Sequence, residues 1–201
     1  MIKILVREGA INPQIMKYPS KLSIINTVQT INLSVGWNEF DDLKCGFYFC
    51  DDLVFNSSIE KIDLSEYDTS GITNMSGMFS RCTRLKELDT KKFNTLNVTD
   101  MCYMFHECVN LVELDLSSFD TRNVTVIDGM FDNCLSLVRL DLSNFNMSNI
   151  RTFNDMFYNC ERLKYIRCTK EFKKWCLKNQ YEIDLPRCLC EGGDGIWDII
   201  D

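Results

Sequence analysis

Apolar residues recur along this chain with a strict period of 26 residues. The phrase L-x-x-L-x-L, an aromatic position and the ending Met-Phe-x-x-Cys return four times without an insertion or deletion. The four units span residues 57–82, 83–108, 109–134 and 135–160. A unit of this length cannot bury its own apolar face, so neighbouring units must stack against each other. The pattern therefore predicts a repeat array.

The first half of each unit predicts a short strand. In the third unit, Leu114 and Leu116 alternate with polar residues, which places both leucines on one face of an extended chain. One strand per unit predicts a parallel sheet. An aromatic column follows the strands at Phe93, Phe119 and Phe145, and its bulk predicts a stack inside the core.

The second half of each unit predicts a short amphipathic helix. In the second unit, four apolar residues stand at i, i+3, i+4 and i+7, which is one stripe of a helix: Met101, Met104, Phe105 and Cys108. Thr99 is placed as the N-cap of this helix. The predicted fold class is therefore an α/β leucine-rich repeat solenoid, with parallel strands on one face and short helices on the other.

The segments on both sides of the array predict caps, because a terminal unit must present one of its faces to water. Residues 1–56 are predicted to form an N-terminal cap that includes a degenerate first repeat and a short strand at Ile2 to Val6. Residues 161–201 are predicted to form a half repeat and a C-terminal cap, with a terminal helix around Phe172 and Trp175.

Four cysteines mark one position in successive units: Cys82, Cys108, Cys134 and Cys160. Their place on the apolar stripe predicts a ladder of reduced, packed thiols. Four further cysteines lie in the predicted C-terminal cap: Cys168, Cys176, Cys188 and Cys190. For these, packed thiols, a disulfide and a zinc site all remain open, although one residue between Cys188 and Cys190 is a poor spacing for zinc.

Composition and charge argue against several classes of function. The chain has 201 residues and a formal net charge of −7, which argues against a nucleic-acid partner because such surfaces need clustered Lys and Arg. No apolar stretch is long enough to insert into a membrane, and the N-terminus lacks a secretion signal, so the sequence alone predicts a cytoplasmic protein. His106 is the only histidine and is predicted to be exposed and variable. With no catalytic motif, the sequence predicts neither an enzyme nor a cofactor.

The outward strand positions form the candidate binding surface. Six acids occupy them: Asp63, Glu87, Asp89, Glu113, Asp115 and Asp141. Neighbouring strands lie about 4.8 Å apart, so each pair of like charges repels by roughly 1 kcal/mol in water. Two interpretations remain open. The aspartates either bond locally to the turns that follow the strands, or they form an acidic strip for a basic partner or for a hard cation such as calcium.

The phrases LVELDLSSFDTRNVTVIDGMFDNC and LVRLDLSNFNMSNIRTFNDMFYNC resemble the repeat of the BspA-like leucine-rich repeat proteins. The resemblance covers residues 57–160 closely and extends over 161–180 as the closing segment of that family. It implies a cell-surface or secreted protein that binds or adheres to a protein or glycan partner without catalytic residues. The alternative is a structural role, as a component or rigid spacer in a cell-envelope or virion assembly.

Overall fold

A computed structural model describes residues 69–190 and 192–200 in full, and the backbone of four short strands before them. The strands are β1 (Ile2–Ile4), β2 (Leu22–Ile24), β3 (Thr30–Leu33), β4 (Lys61–Asp63), β5 (Glu87–Asp89), β6 (Glu113–Asp115), β7 (Arg139–Asp141), β8 (Tyr165–Thr169) and β9 (Ile196–Ile200). One α-helix, α1 (Lys170–Lys178), and a 3-10 turn at Arg187–Leu189 lie between β8 and β9. The rest of the predicted N-terminal cap lies outside the described residues.

Parallel strands from successive units pair in register. β4 pairs with β5, and β7 pairs with β6 on one side and with β8 on the other. Residues 26 apart in the sequence therefore lie side by side. β3 pairs parallel to β4, and β1 joins antiparallel to β3. β9 extends the other end, parallel to β8. The structure thus has the predicted parallel strands, and the strand predicted at Ile2 to Val6 is present but ends at Ile4.

The strands form two sheets rather than one, divided between β5 and β6. In the later units a backbone bond continues the ladder just past each strand: Leu116 N–H donates to the Asp141 carbonyl at 2.9 Å. At the same position between β5 and β6, it is the Thr90 hydroxyl that donates to the Asp115 carbonyl. Thr90 stands where the other units carry leucine. The hydroxyl therefore takes the place of a backbone bond where the ladder is interrupted.

The Met-Phe-x-x-Cys segments are not helices, so the predicted short helices and their threonine N-caps are wrong. Within a segment, some N–H groups bond back three residues, as Met104 N–H does to the Met101 carbonyl at 3.3 Å. Alternate N–H groups instead reach the next unit, as Phe105 N–H does to the Met130 carbonyl at 2.9 Å. An α-helix would keep these bonds inside the segment. Stacked turns give the rear of the molecule a second ladder that links the units.

Two aromatic columns fill the core. The rings of Phe79, Phe105, Phe131 and Phe157 stack with centroids 5.4, 5.8 and 5.6 Å apart. In the second column, Phe93 stacks on Phe119 at 5.5 Å, and Phe145 meets Phe172 of α1 edge-on at 6.0 Å. All of these side chains are buried. The aromatic residues therefore connect every described unit to its neighbours.

Cys108, Cys134 and Cys160 are buried free thiols. The Cys134 thiol donates to the Phe105 carbonyl of the preceding unit at 3.1 Å, and the other two make the equivalent bond. The Phe105 carbonyl also accepts from Cys108 N–H at 3.1 Å, so both of its lone pairs are used. Cys82 differs because it is disulfide-bonded. The predicted ladder of four reduced thiols is therefore wrong at its first position.

The chain after the fourth unit closes over the last Met-Phe segment. Thr169 begins α1 by accepting a hydrogen bond from Phe172 N–H at 3.2 Å, and the helix buries Phe172 and Cys176. The loop after α1 provides carbonyls to the fourth unit, including that of Ile183, which accepts from Phe157 N–H at 2.9 Å. The four cysteines of this segment are all free thiols.

We expect Cys134→Ala to lower the free energy of unfolding by about 1–2 kcal/mol, because the change removes core packing and one hydrogen bond. Burial raises the pKa of the Cys134 thiol well above its ordinary value, so we also expect slow alkylation in the native protein. Urea denaturation measures the first effect. Thiol labelling followed by mass spectrometry, with and without urea, measures the second. Native labelling of Cys134 as fast as labelling of the unfolded chain would contradict a packed thiol.

Candidate partner-binding face

The outward strand positions carry the six predicted acids in register. Asp63 lies opposite Asp89 in the pairing of β4 with β5, and Asp115 lies opposite Asp141 in the pairing of β6 with β7. Asp63 is placed by its backbone alone. Among the other five, Asp141 is partly covered and four are exposed: Glu87, Asp89, Glu113 and Asp115. We call this surface the strand face.

Aspartates of the strand face bind the turns that end the strands. Asp89 Oδ1 accepts from Lys91 N–H at 3.1 Å, and Asp115 Oδ1 accepts from Ser117 N–H at 2.9 Å. Asp141 Oδ1 makes the same bond, at 3.0 Å, with the amide two residues further on. Short polar side chains often stabilise turns in this way. The local interpretation thus accounts for one oxygen of each of these three carboxylates.

Arginines neutralise the strand face towards its C-terminal end. Arg139 Nε lies 3.6 Å from Glu113 Oε1. Arg167 Nε lies 3.9 Å from Asp141 Oδ2 and 3.7 Å from Asp198 Oδ2. Asp89 and Asp115 have no ion pair with any described residue. Within the part of the chain that the structure describes, the two aspartates without an ion pair therefore lie on either side of the junction between β5 and β6.

The carboxylates of the strand face whose side chains are described do not converge on one point. Calcium binds about six to eight oxygen ligands, whereas parallel strands hold equivalent side chains about 4.8 Å apart along a row. In the described part of the chain, no group of three or more His, Cys, Asp or Glu side chains is placed to hold a metal ion. The geometry is suited to several separate contacts with an extended partner.

A column of buried threonines was missed by the sequence reasoning. The Thr95 hydroxyl donates to the Asp120 carbonyl at 3.0 Å and accepts from the Asp120 N–H at 2.7 Å. Thr69 and Thr121 make the same pair of bonds with the next unit. The signal in the sequence is a threonine at 26-residue intervals, which Met147 replaces in the last unit. These hydroxyls fix the edge at which the chain leaves the strand face.

His106 is not the exposed residue that was predicted. Its side chain is 18% exposed, with Nδ1 2.9 Å from Asp132 Oδ2 and Nε2 3.2 Å from Glu107 Oε1. Tyr103 packs edge-on against the imidazole at 5.5 Å between ring centroids. Burial raises the pKa of Asp132, and the neighbouring His106 only partly opposes this effect. His106 therefore joins the second unit to the third.

A cavity of about 290 Å³ opens beside His106 and is lined by Cys102, Tyr103 and Arg81, among others. Burial, followed by the nearby Asp100 carboxylate, raises the pKa of the Cys102 thiol to about 12. A thiol with this pKa stays protonated near neutral pH, and the protonated form is a poor nucleophile.

A family model described as "Mycoplasma protein of unknown function, DUF285" matches residues 47–175, which is more than half of the 201-residue chain. No curated protein and no solved structure matches the chain. Within the described residues, α1 is far too short to cross a bilayer, and no other helix has the length and apolar character to do so.

Proposed function

Because this chain belongs to the DUF285 family, a BspA-like repeat-associated family, we propose that it is a noncatalytic binding module. The repeats form a capped leucine-rich repeat solenoid, and the strand face and its rim bind a macromolecular partner. The observation that carries the proposal is the pair Asp89 and Asp115, which are exposed, point outward from neighbouring units and have no ion pair with a described residue. Lysine or arginine side chains of a protein partner would complete these contacts.

The backbone around the strand face supports this function. Strand pairing holds the front of the units on each side of the break between β5 and β6, and the Thr90 hydroxyl links the units across that break. The stacked turns and buried threonines hold the rear and one edge. Each aspartate is further oriented by its bond to a turn amide. A surface that is already ordered loses little conformational entropy when a partner binds. The strand face is therefore preorganised for recognition.

A structural role in a larger assembly would favour a large apolar contact surface. Among the described residues, the exposed large hydrophobic side chains are Leu96, Tyr103, Val112, Leu135, Tyr158, Tyr181 and Ile196. Val112 and Leu135 lie just before the strands of adjoining units, whereas the others stand at different repeat positions or after the fourth unit. This distribution favours a binding module over a rigid spacer.

The double variant Asp89→Asn/Asp115→Asn tests the charge of the strand face without removing its turns. Asparagine keeps the Oδ1 acceptor for the amides of Lys91 and Ser117, so we expect an unchanged melting temperature. We expect its affinity for a synthetic peptide of alternating lysine and serine to fall about tenfold. Added salt should weaken binding of this peptide to the wild-type protein, because exposed charges are screened. Biolayer interferometry at two salt concentrations measures both effects.

The control for this experiment is Glu171→Gln/Glu182→Gln, which changes the net charge equally through two exposed residues away from the strand face. We expect this control to bind the peptide as the wild-type protein does. Equal losses of affinity in the two double variants would show that the peptide is attracted by the net charge of the protein alone, and would overturn the proposed site. An unchanged affinity in Asp89→Asn/Asp115→Asn would overturn the proposed site.

A further inference from the structure

A small apolar patch lies on the rim from which the chain enters the strands. It consists of the same two positions in the third and fourth units: Val109, Val112, Leu135 and Val138. Val112 is 46% exposed and Leu135 is 45% exposed, and the two other side chains are partly covered. We call these four residues the rim patch.

Stacking of the units does not explain the rim patch. The same positions are Thr83 and Lys86 in the second unit, and Glu161 and Lys164 after the fourth. The backbone bonds are nevertheless alike, since Val138 N–H donates to the Val112 carbonyl at 2.8 Å and Lys164 N–H donates to the Val138 carbonyl at 3.1 Å. The fold thus accepts polar side chains at these positions. Neighbouring exposed apolar residues with no structural need point to an interaction surface.

The rim patch adjoins the strand face. Val112 directly precedes Glu113, the first residue of β6, and the exposed Asp115 follows on the same strand. Protein interfaces commonly combine a buried apolar centre with surrounding polar and charged contacts. The rim patch can supply the apolar part of such an interface, and Asp89 and Asp115 determine the charge that the partner must carry.

We propose that the rim patch is the apolar anchor of the strand face, and that the partner is a basic amphipathic segment of a protein. This inference rests on the proposed function and specifies its partner. The apolar side chains of the segment cover Val112 and Leu135, and its basic side chains reach Asp89 and Asp115. Lys86 and Lys164 border the patch on both sides along the rim. A basic segment therefore crosses from the rim onto the strand face rather than following the rim.

The test compares two synthetic peptides of equal length, one alternating lysine with leucine and one alternating lysine with serine. We expect wild-type protein to bind the lysine–leucine peptide about tenfold more tightly than the lysine–serine peptide, because covering one large apolar side chain has an effect of this size. In Leu135→Ser we expect this advantage to disappear while the affinity for the lysine–serine peptide stays the same. Leu135 is exposed at the rim, so this variant is expected to fold, which circular dichroism checks.

The matched control is Leu96→Ser. Leu96 is 43% exposed, close to the value of Leu135, but it follows its strand instead of preceding one. We expect it to bind both peptides as the wild-type protein does. Equal losses in the two serine variants, or no loss in Leu135→Ser, would overturn the rim patch as an anchor.

The outcomes also separate the two proposals. If Leu135→Ser has no effect but Asp89→Asn/Asp115→Asn still weakens the lysine–serine peptide, the strand face binds without the rim patch. If neither change matters, both proposals fail. Sedimentation of the free protein examines a different occupant: a concentration-dependent dimer that Leu135→Ser abolishes would assign the patch to a second copy of the chain and overturn the amphipathic partner.

Discussion

Phe131→Ala is expected to lower the free energy of unfolding by about 3–5 kcal/mol. Phe131 is fully buried, and its ring stacks on Phe105 at 5.8 Å and on Phe157 at 5.6 Å. The cavity would therefore open towards the units on both sides. Since each unit of a repeat array is stabilised by its neighbours, a defect at a central position weakens two contacts between units at once. Urea denaturation followed by circular dichroism measures the loss.

Two comparisons show whether the stacked column is responsible. Phe119→Ala is expected to lower the free energy of unfolding by a similar amount, because Phe119 is fully buried and stacks on Phe93 at 5.5 Å. Arg122→Ala removes an exposed side chain that pairs with Asp120 at 2.8 Å, and it is expected to change the free energy of unfolding by less than about 0.5 kcal/mol. Equal unfolding midpoints for all three variants would refute the column.

The strand register followed from the sequence because a fixed repeat length determines which residues stack. A period of 26 residues places Asp115 beside Asp141 and Leu114 beside Leu140, and these are the observed partners. Period-two alternation then assigns the leucines to the core and the aspartates to the outside. The same logic did not predict the break between β5 and β6, where the Thr90 hydroxyl and not a backbone N–H donates to the Asp115 carbonyl.

The prediction of helices in the Met-Phe-x-x-Cys segments is wrong because a helix and a series of turns can bury the same residues. Met101, Met104, Phe105 and Cys108 are all fully buried without a helix. The contrary signal lies in the residues that take positive φ, among them Gly129 at 56° and Asn133 at 60°. Glycine and asparagine tolerate this conformation better than other residues. At Gly129 a Cβ atom would lie 2.3 Å from the Tyr103 ring. Tyr103 and Asp155 occupy the same repeat position and also take positive φ, so the turn conformation is kept with other residues as well.

The candidate site was predictable in position but not in charge. Alternation along the strands placed Asp89 and Asp115 outside, whereas the neutralisation of Glu113 by Arg139 depends on side-chain conformations that a repeat pattern does not contain. The 26-residue period places Asp132 beside His106, but the partial burial of the imidazole depends on the side-chain contacts that it makes with Asp132 and Glu107. Sequence spacing identifies columns, and the structure shows which members of a column are already paired.

Thr121→Val is expected to lower the free energy of unfolding by about 2–3 kcal/mol, although valine has nearly the same shape. The Thr121 side chain is fully buried. Its hydroxyl donates to the Asn146 carbonyl at 3.0 Å and accepts from the Asn146 N–H at 2.7 Å. Valine can replace neither bond, so a donor and an acceptor in a partly buried place lose their partner together. Urea denaturation measures the loss.

Thr121→Ser distinguishes the hydroxyl from the packing around it. Serine keeps both bonds to Asn146 and loses only a methyl group, so we expect a smaller cost of about 1 kcal/mol. Hydrogen exchange gives a second, local measure: the Asn146 amide should exchange faster in Thr121→Val than in wild type, and serine should largely restore its protection. If serine destabilises the protein as much as valine and leaves the Asn146 amide equally unprotected, the hydroxyl does not join the third unit to the fourth. If valine destabilises the protein more than serine does, and serine restores the protection of the Asn146 amide, the threonine column is a polar ladder that stabilises the edge of the strand face.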